Sequence, residues 1–490
     1  MNPSVEPFDE TKYKVLMDGL ECSEIRFSQL DLGDRFDSDY YTKEYLSVAK
    51  KLESVSTIKL GRLGTTVASA FYPAATQLYS VGDTAFVRCV DCVSYPMITK
   101  NQDDRFEKIP LTFAKENKGI SFIKTNDIVI TKVGTPCYAS IITDYDEVTL
   151  SRTVLGLTKI HSVNPFYLMI FLRCKYGFEQ LYRQRELTIQ YQLTLPRVKA
   201  IDVYIPSKLF QLKIEEICKK SREHQKESDR QYRSADGILQ SLIKTEMPVE
   251  GSKISIKLIK ESFIKTGRLD AEYYQPKYDA LSDILSHFNC KPLGGDNGVV
   301  RIKKSIEPGS EAYQEDGIPF VRVSDVNTYE ITQPEVFLAH NIVKDIESLY
   351  PQKDTILFSK DGSVGIAYKV EKDGQFVTSG ALLHLTVRNT KEVLPDYLTL
   401  ILNSPIVQLQ AERDSNGAII QHWKPSEIEQ VVIPILDMPV QEIIAAKVQE
   451  SFALRRKSKE LLEYAKQAVE MAIEQGEEIA LNWLNEKASL

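Results

Sequence analysis

The stretch SKLFQLKIEEICKKSREHQKESDRQYRSADGILQSLIKTE, residues 207–246, decides how this chain is organised. Alternating steps of four and three residues through it select apolar and small side chains, a spacing typical of a coiled-coil helix. The predicted seam has a polar, small-residue middle and consists of Phe210, Ile214, Ile217, Ser221, His224, Ser228, Gln231, Ala235, Ile238 and Leu242. We therefore predict one long helix over 207–246, whose small central residues favour close packing against another helix.

A second copy of this helix lies 230 residues further along the chain. Its seam contains Ile444, Ser451, Ser458 and Ala465, so the serines recur at the same steps. We predict a second long helix over 437–476, where Gly476 can adopt the left-handed conformation common at helix ends. The two helices are expected to pack antiparallel within one chain.

The segments that precede the two helices are also duplicated. The matched pairs are RFDSDYY (35–41) with RLDAEYY (268–274), FVRCVD (86–91) with FVRVSD (320–325), and DIVITKVGT (127–135) with DTILFSKDGS (354–363). The offset between matched segments stays between 227 and 234 residues. The sequence therefore predicts an α+β protein with two related mixed α/β domains and two long antiparallel helices in a pseudo-two-fold plan.

The repeat also predicts where the parts of the chain begin and end. They are an N-terminal arm (1–24), a first globular domain (25–206), the first long helix (207–246), a linker (247–263), a second globular domain (264–436), the second long helix (437–476) and a tail (477–490). Within these parts we predict a helix over 42–53 and strands over 85–90, 127–132 and 254–258.

The composition of the chain is that of an ordinary globular protein. Its 490 residues are 43% apolar and 26% charged, and this length predicts two to four domains. There is no apolar run long enough to span a bilayer and no signal peptide at the start, so we expect a cytoplasmic protein without membrane contact. Seven scattered cysteines favour reduced thiols. The single C-x-x-C of Cys89 and Cys92 lacks a second pair, so we predict no zinc site.

The formal net charge of −7 argues against a protein dedicated to binding nucleic acid, because phosphates are neutralised by clustered lysine and arginine. Positive charge is nevertheless concentrated in 173–199, which holds six basic and two acidic residues. Such a run indicates either a nucleic-acid contact or a solvated face.

Two loops at matching positions are candidates for contact with a phosphate. TKVGT (131–135) and SKDGS (359–363) each follow an apolar strand and combine a lysine, a hydroxyl and a glycine. Glycine lets backbone amides approach an anion, while lysine adds charge and the hydroxyl adds a donor. Neither loop has the spacing of a nucleotide-binding P-loop, and an ordinary strand-turn remains the alternative.

Further matched pairs carry side chains suited to DNA. Arg88 and Arg322 end matched strands. Each arginine could contact DNA or form an ion pair with a nearby aspartate, Asp91 or Asp325 respectively. QYQ (190–192) and QHWK (421–424) contain side chains that can form hydrogen bonds with base edges or stack on bases. The alternative is that these residues cap a helix. The candidate DNA-contacting residues are Arg88, Thr131, Lys132, Gly134, Thr135, Gln190, Tyr191, Gln192, Arg322, Ser324, Ser359, Lys360, Gly362, Ser363, Gln421, His422, Trp423 and Lys424.

No catalytic constellation recurs in the two halves, whether a Ser/His/Asp set, a metal-ligand cluster or paired carboxylates. NPFYL (164–168) is similar to the base-binding loop of adenine methyltransferases, but it lacks the second proline of that motif. A proline in the first turn of a helix explains the segment without catalysis. We therefore predict no catalytic residue and no metal ligand in this chain.

The order of domain, helix, domain and helix resembles the specificity subunits of type I restriction-modification systems. The resemblance also rests on DTILFSKDGSVG (354–365) and on the run from GAIIQ (417–421) to VIP (432–434), and it covers about residues 25–475. It implies that each globular domain is a target recognition domain, that the helices form a spacer, and that two methyltransferase subunits dock on them.

The resemblance also implies a function without catalysis. The chain would recognise an asymmetric bipartite site on double-stranded DNA and direct adenine methyltransferase and restriction subunits to it, in DNA modification and phage defence. AdoMet, ATP and Mg would be bound by the partner subunits, which include two restriction and translocase subunits where the system has them. Two alternatives stay open: a self-contained DNA methyltransferase or nuclease, and a protein-binding coiled-coil scaffold.

Overall fold

The computed structural model describes residues 9–30, 35–71, 76–186, 191–243, 254–332, 334–342, 344–417 and 420–488. The chain divides into two compact units. The first unit is Met1–Lys226 with Arg456–Leu490, and the second is Glu227–Arg455. Each long helix therefore contributes residues to both units.

The elements from the N-terminus to the first long helix include strands and helices in alternation. They are α1 (Glu10–Met17), α2 (Lys43–Glu53), β1 (Thr57–Lys59), β2 (Thr65–Ala68), β3 (Thr84–Val87), α3 (Cys89–Ser94), β4 (Met97–Ile98), β5 (Lys108–Ile109), α4 (Leu111–Glu116), β6 (Phe122–Ile123), β7 (Ile128–Thr131), β8 (Ala139–Ile142), β9 (Val148–Leu150), β10 (Val154–Thr158), α5 (Pro165–Arg173), α6 (Lys175–Arg183), α7 (Leu195–Lys199), β11 (Asp202–Tyr204) and α8 (Lys208–Ile243).

The remaining elements repeat this plan and end in the second long helix and a shorter helix. They are α9 (Phe263–Thr266), α10 (Pro276–Ser286), β12 (Cys290–Pro292), β13 (Val300–Lys304), β14 (Tyr313–Gln314), β15 (Ile318–Val321), β16 (Val326–Asn327), β17 (Glu330–Ile331), β18 (Phe337–Leu338), β19 (Ile356–Ser359), β20 (Ala367–Lys369), β21 (Val377–Thr378), β22 (Leu382–Val387), α11 (Pro395–Leu402), α12 (Pro405–Asp414), α13 (Pro425–Ile428), β23 (Val432–Pro434), α14 (Met438–Gln475) and α15 (Glu477–Ala488).

The first unit contains a five-stranded sheet with the order β2-β10-β7-β8-β4 and a four-stranded sheet with the order β5-β3-β9-β6. Strands β3 and β9 run parallel, as do β4 and β8. Side chains of β7, β8 and β10 share one core cluster with α5, the start of α8 and the end of α14. The long helices are thus part of the core of this unit.

The second unit repeats most of this topology. The sheet order β13-β22-β19-β20 corresponds to β2-β10-β7-β8, and the parallel pair β15 and β21 corresponds to β3 and β9. The pairing of β12 with β23 likewise corresponds to that of β1 with β11. The predicted α+β class and the duplication are therefore confirmed.

A buried tyrosine ties each globular part to the strand that precedes its long helix. Tyr167 donates its hydroxyl hydrogen to Tyr204 O at 2.7 Å, and Tyr397 donates to Pro434 O at 2.9 Å. Burial raises the pKa of Tyr167, so its hydroxyl remains a donor. The long helix consequently leaves each unit from an equivalent, hydrogen-bonded position.

In the first unit, the beginning of α8 packs antiparallel on the end of α14. Ser221 Oγ donates to Ser458 O at 2.8 Å and lies 2.9 Å from Ser458 Oγ. Further along, Ser207 N at the start of α8 donates to the Glu477 carboxylate at 2.9 Å, just beyond the end of α14. A carboxylate at this position also interacts favourably with the positive, N-terminal end of the helix dipole. The tail, whose role the sequence left open, therefore caps the first long helix.

In the second unit, the end of α8 packs antiparallel on the beginning of α14. The hydroxyls of Ser228 and Ser451 lie 3.0 Å apart. Beside them, Arg455 Nη2 donates to Asp229 Oδ1 at 2.6 Å, and both side chains are buried. The Arg455 guanidinium also lies 3.9 Å from the centroid of the Tyr329 ring. Serine pairs and a buried ion pair thus fix the register of the two helices.

The predicted seam is confirmed along most of its length. The following seam residues are all buried: Ile214, Ile217, Ser221, Ser228, Ala235, Ile444, Ser451, Ser458 and Ala465. The prediction fails at the end of α8, where Leu242 is 43% exposed and Leu239 and Ile243 are buried instead. A straight helix has 3.6 residues per turn, so a strict seven-residue pattern drifts by about 20° per heptad and the buried position moves to a later residue.

Two predicted strands need correction. Strand β3 ends at Val87, and α3 begins at Cys89 because the Asp91 carboxylate accepts a hydrogen bond from Arg88 N at 2.8 Å. The alternating stretch 254–258 forms no strand, and Ile256 is 92% exposed. Apolar alternation alone does not make a strand when no neighbouring strand pairs with it.

The other boundaries lie close to those expected. Helix α2 begins at Lys43 with Thr42 as its cap, strand β7 covers Ile128–Thr131, and α14 ends before Gly476, whose φ is +102°. Residues 244–253, which include the predicted end of the first long helix and part of the linker, lie outside the described residues. The sequence boundaries of the domains stay predictions. Within the described residues, no helix is long and apolar enough to cross a membrane.

Candidate nucleic-acid interface

In the second unit, a tight loop leaves the end of β19. Ser359 is fully buried, and its Oγ accepts a hydrogen bond from Ile366 N at 2.8 Å and donates one to Ser363 O at 2.6 Å. Gly362 has a φ of +74°, a conformation that glycine adopts without strain. Gly362 and Ser363 are exposed. Strand β19 therefore presents residues 360–363 at the surface.

The first unit builds the matching loop in the same way. Thr131 is buried and its Oγ1 accepts a hydrogen bond from Tyr138 N at 2.9 Å, while Gly134 has a φ of +91°. Gly134 and Thr135 are exposed. Thr131 and Ser359 were predicted to contact DNA, and for their side chains this is wrong because both hydroxyls are buried and bonded inside the loop.

A second segment lies directly beside each loop. Leu193 N donates to Lys132 O at 2.8 Å in the first unit, and Trp423 N donates to Lys360 O at 2.8 Å in the second. The structure thus brings together, within each unit, the loop (131–135 or 359–363) and the end of the segment (190–192 or 421–424) that lie far apart in the sequence. These bonds also align the two segments, with Leu193 equivalent to Trp423.

Trp423 belongs to the core of the second unit. It is 1% exposed and its ring centroid lies 5.7 Å from that of Phe358. The prediction that its side chain contacts DNA is therefore wrong, because Trp423 fills the buried position that Leu193 fills in the first unit. The preceding residues, Gln421 and His422, are exposed.

The exposed candidates form one small patch in each unit. The first patch consists of Gly134, Thr135, Tyr191 and Gln192, and the second patch consists of Gly362, Ser363, Gln421, His422 and Lys424. Gln190 and residues 418–419 lie outside the described residues. Lys132 and Lys360 are partly buried at the base of these patches.

Charge is arranged differently at the two patches. The Lys360 ammonium contacts the Asp361 carboxylate, whose Oδ1 also lies 2.9 Å from His422 Nδ1. In the part of the chain that the structure describes, Lys132 forms no ion pair. Burial lowers the pKa of Lys132, and the nearby positive charge of Arg152 lowers it further.

The matched arginines stabilise local turns. Arg88 N and Arg322 N each donate to Oδ2 of an aspartate, Asp91 or Asp325, at 2.8 Å, and their Nε atoms lie 3.6 and 3.7 Å from the same oxygens. Ser324 Oγ donates to Asp325 Oδ1 at 3.0 Å. The structure therefore has the ion pairs that were the alternative to a DNA contact, and a DNA contact would require the arginine side chains to leave them.

The basic run 173–199 serves more than one purpose. Arg173 donates to Ala139 O at 2.8 Å, and burial lowers the pKa of this arginine. Arg185 lies between two rings, 3.0 Å from the centroid of Tyr182 and 4.2 Å from that of Tyr191. Part of the run is thus structural, while Arg185 supports the aromatic residue of the first patch. The sequence signalled Arg185 only as one member of the charge run.

The segment that is similar to a methyltransferase loop acts as a helix cap. Asn164 Oδ1 accepts hydrogen bonds from Phe166 N at 2.9 Å and Tyr167 N at 3.3 Å, and Asn164 Nδ2 donates to Glu215 at 2.5 Å. Tyr167 is fully buried. A side chain that satisfies the first amides of α5 is not available to hold a base, so the structural interpretation holds.

The two thiols of the C-x-x-C pair are both at least partly buried. Cys92 is buried, and burial raises the pKa of both thiols, Cys89 and Cys92. Raised pKa values disfavour the thiolate form that binds metals. Across the described ranges, no group of three or more His, Cys, Asp or Glu residues could hold a metal ion.

Comparison with known proteins places the second patch inside a recognised domain. Residues 297–464 match the family model of the type I restriction modification DNA specificity domain. A stretch of 151 residues is 25% identical to the type I restriction enzyme StySPI specificity subunit of Salmonella potsdam, and it covers 31% of this chain and 33% of that protein. The chain thus matches about a third of the length of this curated relative.

Solved structures of specificity subunits also align with the chain. The S subunit of the type I restriction-modification system from M. genitalium is 12% identical, with 85% of this chain and 95% of that chain covered and a TM-score of 0.38. The HsdS subunit from Thermoanaerobacter tengcongensis is 14% identical, with 86% and 97% covered and a TM-score of 0.27.

The family match includes the loop 359–363 and the segment 421–424, so the second patch lies within the matched residues. Over residues 297–464 the chain is similar to the DNA specificity domains of type I restriction-modification systems. The resemblance to specificity subunits that the sequence motifs indicated is therefore confirmed.

Proposed function

We propose that this chain recognises an asymmetric bipartite DNA sequence and directs partner adenine methyltransferase subunits, and restriction subunits where present, to that sequence. One observation carries the proposal: two units of similar topology present patches at equivalent positions, and these patches share their backbone framework but not their exposed side chains. Tyr191 and Gln192 occupy in the first patch the positions of Gln421 and His422 in the second. Different side chains at equivalent positions read different half-sites.

The domain family supports the choice of DNA as the ligand. The second patch lies on loops inside the segment that matches a DNA specificity domain. Loops held on a rigid scaffold commonly carry recognition, because the scaffold fixes their position while their sequence varies. The first unit repeats the topology of the second, so the proposal extends DNA recognition to the first unit as well.

The proposal assigns the chemistry to the partners. The double-stranded DNA is bound by this chain, while AdoMet, ATP and Mg belong to two methyltransferase subunits and to restriction and translocase subunits. The capping role of Asn164 supports this assignment, since it removes the segment that could have held a base for methylation. The antiparallel pair of α8 and α14 is the surface on which the methyltransferase subunits dock.

A selection experiment tests the proposal. The chain is mixed with a type I methyltransferase subunit and a pool of random duplexes, and the bound sequences are determined at several salt concentrations. We expect one bipartite sequence with two unlike halves. Equal binding of all sequences, with and without the partner, would instead favour a scaffold, and turnover of AdoMet by the purified chain alone would favour a self-contained methyltransferase.

Variants of each patch then test the division between the units. We expect Gln192→Ala to relax the preference at one half of the selected sequence and Gln421→Ala to relax the other half. Each substitution should cost roughly 1–3 kcal/mol at one base pair. A change at both halves from either variant would contradict independent reading.

A further inference from the structure

The two patches differ in how the lysine at their base is paired. In the second unit, Asp361 lies between Lys360 and His422, contacting the ammonium on one side and His422 Nδ1 at 2.9 Å on the other. The side chains of Lys360 and Asp361 are 13% and 22% exposed, whereas that of His422 is 64% exposed. The positive charge of Lys360 is therefore compensated by Asp361 within the unit. Of the three side chains, the His422 imidazole is the most accessible.

In the first unit, the positions equivalent to Asp361 and His422 carry uncharged residues. Val133 pairs with Gln192 as Asp361 pairs with His422, so valine replaces the carboxylate and glutamine replaces the imidazole. Within the described residues, no acidic partner neutralises Lys132. A partly buried ammonium near another cation is stabilised by any anion that approaches it. The base of the first patch is thus a place where a phosphate gains more than it does at the second.

The contact with Asp361 also fixes the chemistry of the His422 ring. An ionised carboxylate only accepts hydrogen bonds, so Nδ1 carries a hydrogen in this contact, and in the tautomer with its single hydrogen on Nδ1 the free Nε2 is an acceptor. Among the described residues, Nε2 of His422 has no hydrogen-bond partner. A carboxylate that holds one ring nitrogen orients the other nitrogen toward its ligand, as it does for metal-binding histidines. The group that such an acceptor recognises in the major groove is an amino group, of adenine N6 or cytosine N4.

We infer that the two units use different contacts at equivalent loops: Lys132 binds a DNA phosphate in the first unit, whereas His422, held by the positioning residue Asp361, reads the amino group of an adenine or cytosine in the second. Lys360 then serves as the counter-ion of Asp361. This revises the expectation that both lysines contact phosphate. The inference rests on the proposed function, because it specifies how the proposed DNA site is bound.

The experiment compares variants in complex with the methyltransferase partner on the selected DNA sequence. We expect His422→Ala to lose discrimination at one base pair by about 5- to 150-fold, and Asp361→Ala to lose part of it at the same base pair. His422→Gln, which introduces the residue of the first patch, should change the preferred base there. Replacing the recognised base with its analogue lacking the amino group should weaken the wild-type complex but leave the His422→Ala complex unchanged.

Salt dependence tests the lysines. We expect Lys132→Ala to weaken binding to all sequences similarly and to lower the slope of log affinity against log salt by about one. Lys360→Ala should leave that slope unchanged. Exposed lysines outside the patches provide matched controls, Lys118→Ala for the first unit and Lys391→Ala for the second.

The outcomes separate this inference from the proposed function. If the wild-type complex selects no DNA sequence, the proposed function fails. If it selects a sequence but His422→Ala keeps every base preference, or Lys360→Ala lowers the salt slope and Lys132→Ala does not, only the inference fails. Unfolding curves of each variant show whether the unit is still folded.

Discussion

Replacement of the buried serine pairs should weaken the long-helix pair by an amount that the hydrogen bonds predict. Ser221 donates to Ser458 O at 2.8 Å and shares a second hydrogen bond with Ser458 Oγ at 2.9 Å. A net hydrogen bond contributes about 1 kcal/mol, so Ser221→Ala should cost about 1–2 kcal/mol. Ser221→Leu removes the same bonds and also inserts bulk into a position with no exposed surface, which adds about 1–3 kcal/mol.

Urea unfolding of the single and double alanine variants measures this effect. The double-mutant cycle for Ser221 and Ser458 should give a coupling energy of about 1 kcal/mol or more, because the two side chains contact each other directly. The Ser228 and Ser451 pair, with one hydroxyl contact at 3.0 Å, should couple less strongly. Ser241→Ala, an exposed change on the same helix, is the control. Zero coupling together with wild-type stability of Ser221→Leu would refute the close seam.

Further predictions concern the stability of the second unit. Burial lowers the pKa of His384 to about 4, so between about pH 6.5 and pH 4 the unfolded chain binds a proton that the folded chain does not, and stability should fall by up to about 3 kcal/mol as the pH is lowered. Unfolding measured against pH should show this loss, and His384→Gln should reduce it. Lys369→Met leaves the buried Asp396 carboxylate without its cation and should cost about 3 kcal/mol, near the low end for a broken buried pair because Gln449 still donates to Asp396. The double variant Lys369→Met with Asp396→Leu should recover part of that loss in urea unfolding, whereas an unchanged Lys369→Met would contradict the burial argument. Trp423→Ala should destabilise the unit by about 3–5 kcal/mol, and a loss of DNA affinity with unchanged stability would restore Trp423 as a surface contact.

The sequence predicted the helices well because their signal is periodic and duplicated. Ser221, Ser228 and their counterparts recur at the same steps, and a seam is read from spacing alone. It missed the switch from Leu242 to Ile243, since the drift between 3.5 and 3.6 residues per turn depends on how the helices supercoil. It also placed a strand where Ile256 is exposed, because alternation does not reveal whether a partner strand is present.

The candidate site was predicted in position but not in the direction of its side chains. The glycines of the two loops identified the turns, since a positive φ at Gly134 and Gly362 is a local requirement. Trp423 is of a residue type that commonly stacks on bases. Only the hydrogen bond from its backbone N–H to Lys360 O, together with its burial, shows that its side chain points inward like that of Leu193. A contact such as that of Asp361 with His422 joins residues far apart in sequence, which no local pattern encodes.

Mapping of N6-methyladenine in DNA treated with this chain, a type I methyltransferase subunit and AdoMet shows whether the chain determines where methylation occurs. We expect methylation within one asymmetric bipartite sequence, none when the chain is omitted, and a change confined to one half of that sequence when His422 is replaced by Gln. Methylation at the same sites without the chain, or at sites that share no sequence, would contradict this expectation.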